Sequence, residues 1–245
     1  MPARRIGIVA AMERELWPLA RKWPGRTIEH EGRRFRLLEQ GTATLIFGGI
    51  GAGPARRAAR ALLKSCAPEV LVSAGFAGAL QPEGKVGDVV VPAVVRDASS
   101  GAEFRTAGGS GNLVSAPNVH GPEEKRELAA RFNAVAMDME AAAVAEQAVA
   151  GGVEFLAVKA VSDELDFVMP PVGRFVDAAG RFQTALFLGY SALRPRLWPA
   201  VVQLADNTAL AADGLSRSME RLLGSESWGE ELAVAAHRGG LGSRE

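Results

Sequence analysis

The sequence predicts a three-layer α/β/α domain around a central mixed, mostly parallel sheet. Three observations lead there. Apolar runs of strand length alternate with helix-length segments along most of the chain, a pattern that sets strands side by side with helices covering both faces. Glycines or carboxylates stand where several of those strands end, the place where open α/β sheets hold their ligands. Of the 245 residues, 48% are hydrophobic and 23% charged, which is ordinary usage for a chain long enough to bury a large core.

Taken in order, residues 5–10 (Arg-Ile-Gly-Ile-Val-Ala) read as a buried strand, and 13–22 as a helix with Leu16, Leu19 and Ala20 on one face. Phe35 and Leu37, then Leu45 and Phe47, alternate through a β-hairpin over 34–39 and 43–47. Gly48 to Gly53 form a glycine turn that opens an Ala/Leu helix over 54–65. Glu69 to Ser73 is a strand entering a second glycine turn, Gly75-Phe76-Ala77-Gly78, and Val86 to Val95 carries another strand. Residues 96–112 read as loop. A short strand over 134–137 feeds a helix over 139–150; a strand over 153–161 precedes a helix over 173–190.

Residues 182–204 are apolar, but Arg194, Pro195, Arg196 and Pro199 break the run, so it is no membrane span. It fits a pair of helices packed as core or dimer surface, or lying at a membrane surface. The resulting division is an α/β domain over 1–190, a helical appendage over 191–223 and a flexible tail over 224–245.

Composition excludes several functions. Lys+Arg and Asp+Glu both number 28, which gives no general pull toward nucleic acid. The single cysteine, Cys66, excludes an internal disulfide and a Cys-rich zinc site, and His30, His120 and His237 are scattered, so no metal is expected. The start, Met1-Pro2-Ala3-Arg4-Arg5, reaches Glu13 too soon for a signal peptide, and a cytoplasmic location is the expectation. The turn Gly49-Ile50-Gly51-Ala52-Gly53 is placed to cradle a phosphate or a sugar. The dinucleotide fingerprint fails, because its last glycine would fall at Arg56, and no Gly-Lys-Ser motif is present. No cofactor is implied.

What remains is a set of carboxylates at strand ends: Glu13 and Glu15 after the first strand, Glu140 after Met137-Asp138-Met139, and Asp163 after Val161-Ser162. Each alone could be a charge favoured by a helix N-terminus. Converging on one crevice, they suit proton transfer to and from a polar substrate.

Five motifs in the same order resemble the methylthioadenosine/S-adenosylhomocysteine nucleosidases, within the nucleoside phosphorylase/nucleosidase superfamily. They are Ile6-Gly7-Ile8-Val9-Ala10-Ala11-Met12-Glu13-Arg14-Glu15; Gly49-Ile50-Gly51; Ser73 to Leu80 followed by Val86 to Val91; Met137-Asp138-Met139-Glu140-Ala141-Ala142-Ala143; and Lys159-Ala160-Val161-Ser162-Asp163. The resemblance implies cleavage of the N-glycosidic bond of a purine nucleoside, adenine above all, by hydrolysis. It implies Asp163 as the general acid at purine N7, Glu15 as the base that orients and deprotonates water, and Glu140 on the ribose 2′- and 3′-hydroxyls. Met139 would pack on the sugar. Gly51, Gly75, Phe76, Val119, Lys159 and Ser162 complete the expected substrate-binding set, and a homodimer is implied as the assembly.

The chain departs from that pattern. Phe76 stands where the family carries a small hydroxyl residue, and Lys159 where it carries arginine, which loses the bidentate fork. Residues 96–112 are short. Asp177 to Thr184, Arg194-Pro195 and the apolar run resemble the hopanoid-associated nucleosidase/phosphorylase branch, which implies a lipid-linked adenosine such as adenosyl-hopane as substrate and an apolar groove for its tail. Phe76, Phe182, Phe187 and Trp198 are candidates for lining one. Two other readings stay open: phosphorolysis, for which Arg56 and Arg57 are the nearby cations, and a non-catalytic nucleoside-binding protein of the same fold.

Overall fold

The computed structural model describes residues 4–224. Its centre is the ten-residue strand β5 (Val70–Ala79), which is buried along almost its whole length. On one side it pairs in parallel with β1 (Ile6–Ala10), and on the other with β11 (Glu154–Asp163). Val70, Leu71 and Val72 are β-branched or apolar on both faces, as a strand covered from both sides must be.

Beyond β1 the sheet continues through β4 (Ala43–Phe47), β3 (Arg33–Gln40) and β2 (Gly25–His30). The β1–β4 pair is parallel, and β4–β3 and β3–β2 are antiparallel hairpins. At the far end of β5, Gly78 and Ala79 pair antiparallel with β10 (Ala136–Asp138). From there the sheet runs through β9 (Asn112–Ser115) and β7 (Val94–Asp97) to β8 (Glu103–Arg105). The two-residue β6 (Val89–Val90) closes on β11. The sheet is mixed: β4–β1–β5–β11 and β10–β9–β7 pair in parallel, while β5–β10 and the outer hairpins pair antiparallel.

Two helical layers cover it. On one face lie α2 (Ala52–Cys66) and α4 (Ala141–Gly151), whose buried Ala55, Ala58, Ala61, Ala145 and Ala148 let them sit close to the strands and to each other. On the other lie α1 (Glu13–Ala20) and α6 (Trp198–Gly224). A third cluster, with Leu80, Val114, Phe132 and Met137, sits where α3 (Pro122–Phe132) meets β9 and β10. The helix α5 (Thr184–Ala192) follows a 3-10 turn over Val172–Phe175.

Four expectations need correction. Gly75 to Gly78 is no turn; β5 runs straight through it. Residues 96–112 are not all loop, because Val94–Asp97 and Glu103–Arg105 pair as a hairpin. The helix expected over 173–190 begins only at Thr184, after a bridge between Val176 and Phe182. The segment 191–223 is no appendage: Leu215, Met219 and Leu222 of α6 are buried in the same cluster as Ile8, Leu45 and Val72. Burying each such side chain contributes about 1.5–3 kcal/mol, so the boundary at 190 separates no independent core. The tail expected over 224–245 lies outside the described residues apart from Gly224, which ends α6. No helix among the described residues is long and apolar enough to cross a membrane.

Candidate active site

The carboxyl ends of β1, β5 and β11 open on a cavity of about 370 Å³, within the size range of small-molecule sites. Glu15 enters from the first turn of α1 and is buried. Its Oε2 accepts hydrogen bonds from the backbone N–H of Ala11 and Met12, each at 2.9 Å, and Oε1 faces Phe76 N at 3.4 Å. Burial pushes its carboxyl above the usual range, and those N–H groups together with Lys159 oppose the shift.

Glu140 stands just before α4, with Oε1 accepting from Gly51 N at 2.7 Å and Oε2 from Met139 N at 3.3 Å. Gly51 has φ 96°, a conformation that costs an L side chain strain; there the chain swings its N–H onto a carboxylate 89 residues away. Burial first, then the charge on Asp138, push the Glu140 carboxyl up to about 7.

Asp163 ends β11, and the strand pairing slips by one residue between Val161 and Asp163. Successive strand residues otherwise face opposite ways, so this bulge is what lets Ser162 and Asp163 both line the cavity. Ser162 donates its hydroxyl to Asp163 Oδ1 at 2.8 Å, and Lys125 Nζ lies 2.5 Å from Oδ2. The glycines of β5 leave room for these acids. A Cβ on Gly75 would lie 3.2 Å from Glu15 Oε1, and one on Gly78 would lie 2.9 Å from Asp163 Oδ2. We expect Gly78→Ala to cut turnover about tenfold to a hundredfold by displacing Asp163, with little change in KM, as read by steady-state kinetics.

Beneath the cavity is a second buried network. Lys159 Nζ sits 2.8 Å from Asp138 Oδ2 and donates to Ser73 Oγ at 3.0 Å. Burial opposes the ammonium charge, but Asp138 and Glu140 outweigh it and hold the group above its ordinary value. Asp138 Oδ2 accepts from Ala141 N, and Ser115 Oγ accepts from Ala142 N while donating to Asp138. The first N–H groups of α4 are thereby satisfied by side chains that also fix where Glu140 stands.

Of the residues expected from the sequence, Glu15, Gly51, Phe76, Val119, Met139, Glu140, Ser162 and Asp163 line the cavity together. Gly75 and Lys159 do not: Gly75 backs the Glu15 carboxylate, and Lys159 is 1% exposed and turned toward Asp138. Two residues were missed. Lys125 sits in a run of charges, Pro122-Glu123-Glu124-Lys125-Arg126-Glu127, that reads as a solvated helix, and no local signal marks it. Asp138 lies within the segment Met137 to Ala143, but only its contact with Lys159 reveals its place. The far wall of the cavity is apolar, with Met169, Val172, Val176, Phe182 and Leu204, and Arg14 lies over the Phe182 ring at 5.3 Å. Among the described residues no cluster of side chains could hold a metal ion.

The raised Glu140 carboxyl has a measurable consequence. Below its ordinary value of 4.5 both folded and unfolded chains are protonated here. Between 4.5 and about 7 the folded chain keeps a proton that the unfolded chain loses, so stability falls across that window and levels off above it. Melting temperatures taken from roughly pH 4 to pH 8 should show this fall, and Glu140→Gln should flatten it, with Glu15 supplying the slope that remains.

Comparison with solved structures places this architecture. Futalosine hydrolase of Helicobacter pylori is 18% identical, with a TM-score of 0.65 over 90% of this chain and 99% of that one. The methylthioadenosine/S-adenosylhomocysteine nucleosidase of Colwellia psychrerythraea, solved with adenine, is 19% identical, with a TM-score of 0.70 over 93% of this chain and 97% of that one. The Helicobacter pylori nucleosidase mutant solved with 5′-methylthioadenosine is 18% identical, with a TM-score of 0.64 over 90% of this chain and 100% of that one. At these identities the likeness speaks for the fold. A sequence profile of the phosphorylase superfamily matches residues 5–118 and 105–187, most of the described chain, and on that match the chain belongs to the phosphorylase superfamily.

Proposed function

We propose that this protein hydrolyses the N-glycosidic bond of a purine nucleoside, adenine nucleosides first. One observation carries the reading: Glu15, Glu140 and Asp163, from three distant segments, line a single cavity. Breaking the bond builds positive charge on the ribose and negative charge on the base. Glu140 then serves the ribose hydroxyls and stabilises the first charge; Asp163 serves N7 and quenches the second. Glu15, held by three backbone N–H groups, orients water at C1′ and takes its proton. The solved nucleosidase complexes with adenine and with 5′-methylthioadenosine support a purine nucleoside as ligand.

Water rather than phosphate is favoured by the position of the cations. Arg56 pairs with Glu146 at 2.7 Å, neither Arg56 nor Arg57 lines the cavity, and the two cations that do are engaged, Arg14 over the Phe182 ring and Lys125 with Asp163. The apolar wall suits an apolar 5′ substituent, and adenosyl-hopane belongs in the test for that reason. Exposed Leu186, Leu193, Trp198 and Val202 on α5 and near it support a homodimer, which light scattering would detect, or a peripheral contact with a membrane; the site itself is expected to work in the cytoplasm.

The deciding experiment incubates the protein with methylthioadenosine, adenosylhomocysteine, inosine and a lipid-linked adenosine, with and without phosphate. The expected result is adenine release that is indifferent to phosphate, with free sugar as the other product. Phosphate-dependent release with a sugar 1-phosphate would make it a phosphorylase. Purine affinity without product would make it a binding protein.

A further inference from the structure

Among the described residues, Lys125 is the one buried cation at the cavity wall that this mechanism leaves unused. It projects from the first turn of α3, is 2% exposed, and lines the same cavity as Asp163. Its Nζ contacts Asp163 Oδ2 at 2.5 Å and donates to the carbonyl of Glu164 at 2.8 Å. Lysine is almost never buried so fully unless it is paired, and removing it from water is costly. With Ser162 donating to the other oxygen, Asp163 is surrounded by donors. That is the setting of a carboxylate, and a carboxylate has no proton to give to a leaving base.

We propose that Lys125 is a positioning residue that holds Asp163 in place and supplies, through it, the proton taken up by the departing purine. The inference rests on the nucleosidase reading above. The C1′–N9 bond breaks and its electron pair passes to the base. Lys125 passes a proton to Asp163 Oδ2, and Asp163 gives that same proton to N7, leaving a neutral amine beside a carboxylate. Water bonds to C1′ and its proton goes to Glu15. When the products leave, that proton returns to the amine through solvent, so charge and protons balance over the cycle. The neighbouring charges are already engaged with others: Glu164 with Lys85 at 3.3 Å, Glu124 with His120 at 3.3 Å, and Arg126 with Asp166.

A lysine that merely ties α3 to β11 would give the same contacts, so the test varies the leaving group. Lys125→Gln keeps amide donors for Asp163 and Glu164 but carries no proton to give. Its kcat on the purine nucleoside cleaved by wild type should fall about 10²–10⁴-fold, while p-nitrophenyl β-D-riboside, whose leaving group departs as a stable anion, should change by no more than about threefold. Lys125→Met combined with Asp163→Asn leaves no charge buried alone, and on the purine nucleoside it should be no slower than Asp163→Asn. Equal loss on both substrates by a folded Lys125→Gln, a purine loss of less than about tenfold, or a double variant slower than Asp163→Asn overturns the proposal. Should Lys125→Gln not fold, the double variant decides. Wild type releasing no base from any nucleoside overturns the nucleosidase reading instead, so the two failures are told apart.

Discussion

Asp163→Asn should lower purine release by about 10²–10⁴-fold, the range lost when a positioned general acid is removed. The amide still offers an oxygen to Lys125 and fits the space beside Gly78, so the chain should fold. It should not be as stable as wild type, because Lys125 at 2% exposure then faces a neutral partner. A cost of about 1–3 kcal/mol is expected, which at this chain length lowers the melting temperature by roughly 2–12 °C. Activity assayed well below the variant's own melting temperature separates the two effects. Full activity in the folded variant would remove Asp163 from the role of acid.

The largest loss of stability should come from Lys159→Met. Lys159 and Asp138 are side chains with 2% and 0% exposure, 2.8 Å apart. Removing the cation leaves Asp138 as a buried charge with no counterion, a change that typically costs about 3–5 kcal/mol. Urea unfolding should show the midpoint dropping with an unchanged slope. Activity of the remaining folded protein should fall as well, since Asp138 also caps the helix that carries Glu140. Lys159→Arg is not a mild substitute: the position is 1% exposed, and the longer, planar guanidinium must displace Ser73 or Asp138 to fit.

Where local pattern dictates structure, the sequence could be read directly. The strand at 6–10, the hairpin ending at Phe47 and the Ala-rich helices after Gly51 and Glu140 follow from side-chain periodicity and turn residues. The three carboxylates were legible because their place at strand ends is a local property. What escaped was set by distant neighbours. Gly75 and Gly78 look like turn residues, yet they are glycines because Glu15 and Asp163 press against β5 from elsewhere in the chain. Lys125 looks like one charge among many on a soluble helix, and only the fold turns it inward onto a residue 38 positions away. The last helix looked peripheral because its apolar residues are widely spaced; that spacing is the stripe of a helix with one buried face, which ends on Leu215, Met219 and Leu222.

The two parallel neighbours of β5, β1 and β11, reach it at different times during synthesis. β1 is already made when β5 emerges, but β11 begins 84 residues after β5 does, at Glu154 against Val70, an interval of several seconds at a ribosome's pace of about 5–20 residues per second. Throughout that interval one edge of Val70-Leu71-Val72 is bare, the kind of apolar edge that invites pairing with other chains. Asp163, the proposed acid, arrives on the strand that ends this exposure, and the helix that covers the same face follows later still. The nascent protein therefore passes through its most aggregation-prone stage before it holds any complete active centre, and a chain stalled before residue 154 has the hazard of an open sheet without the activity of a closed one.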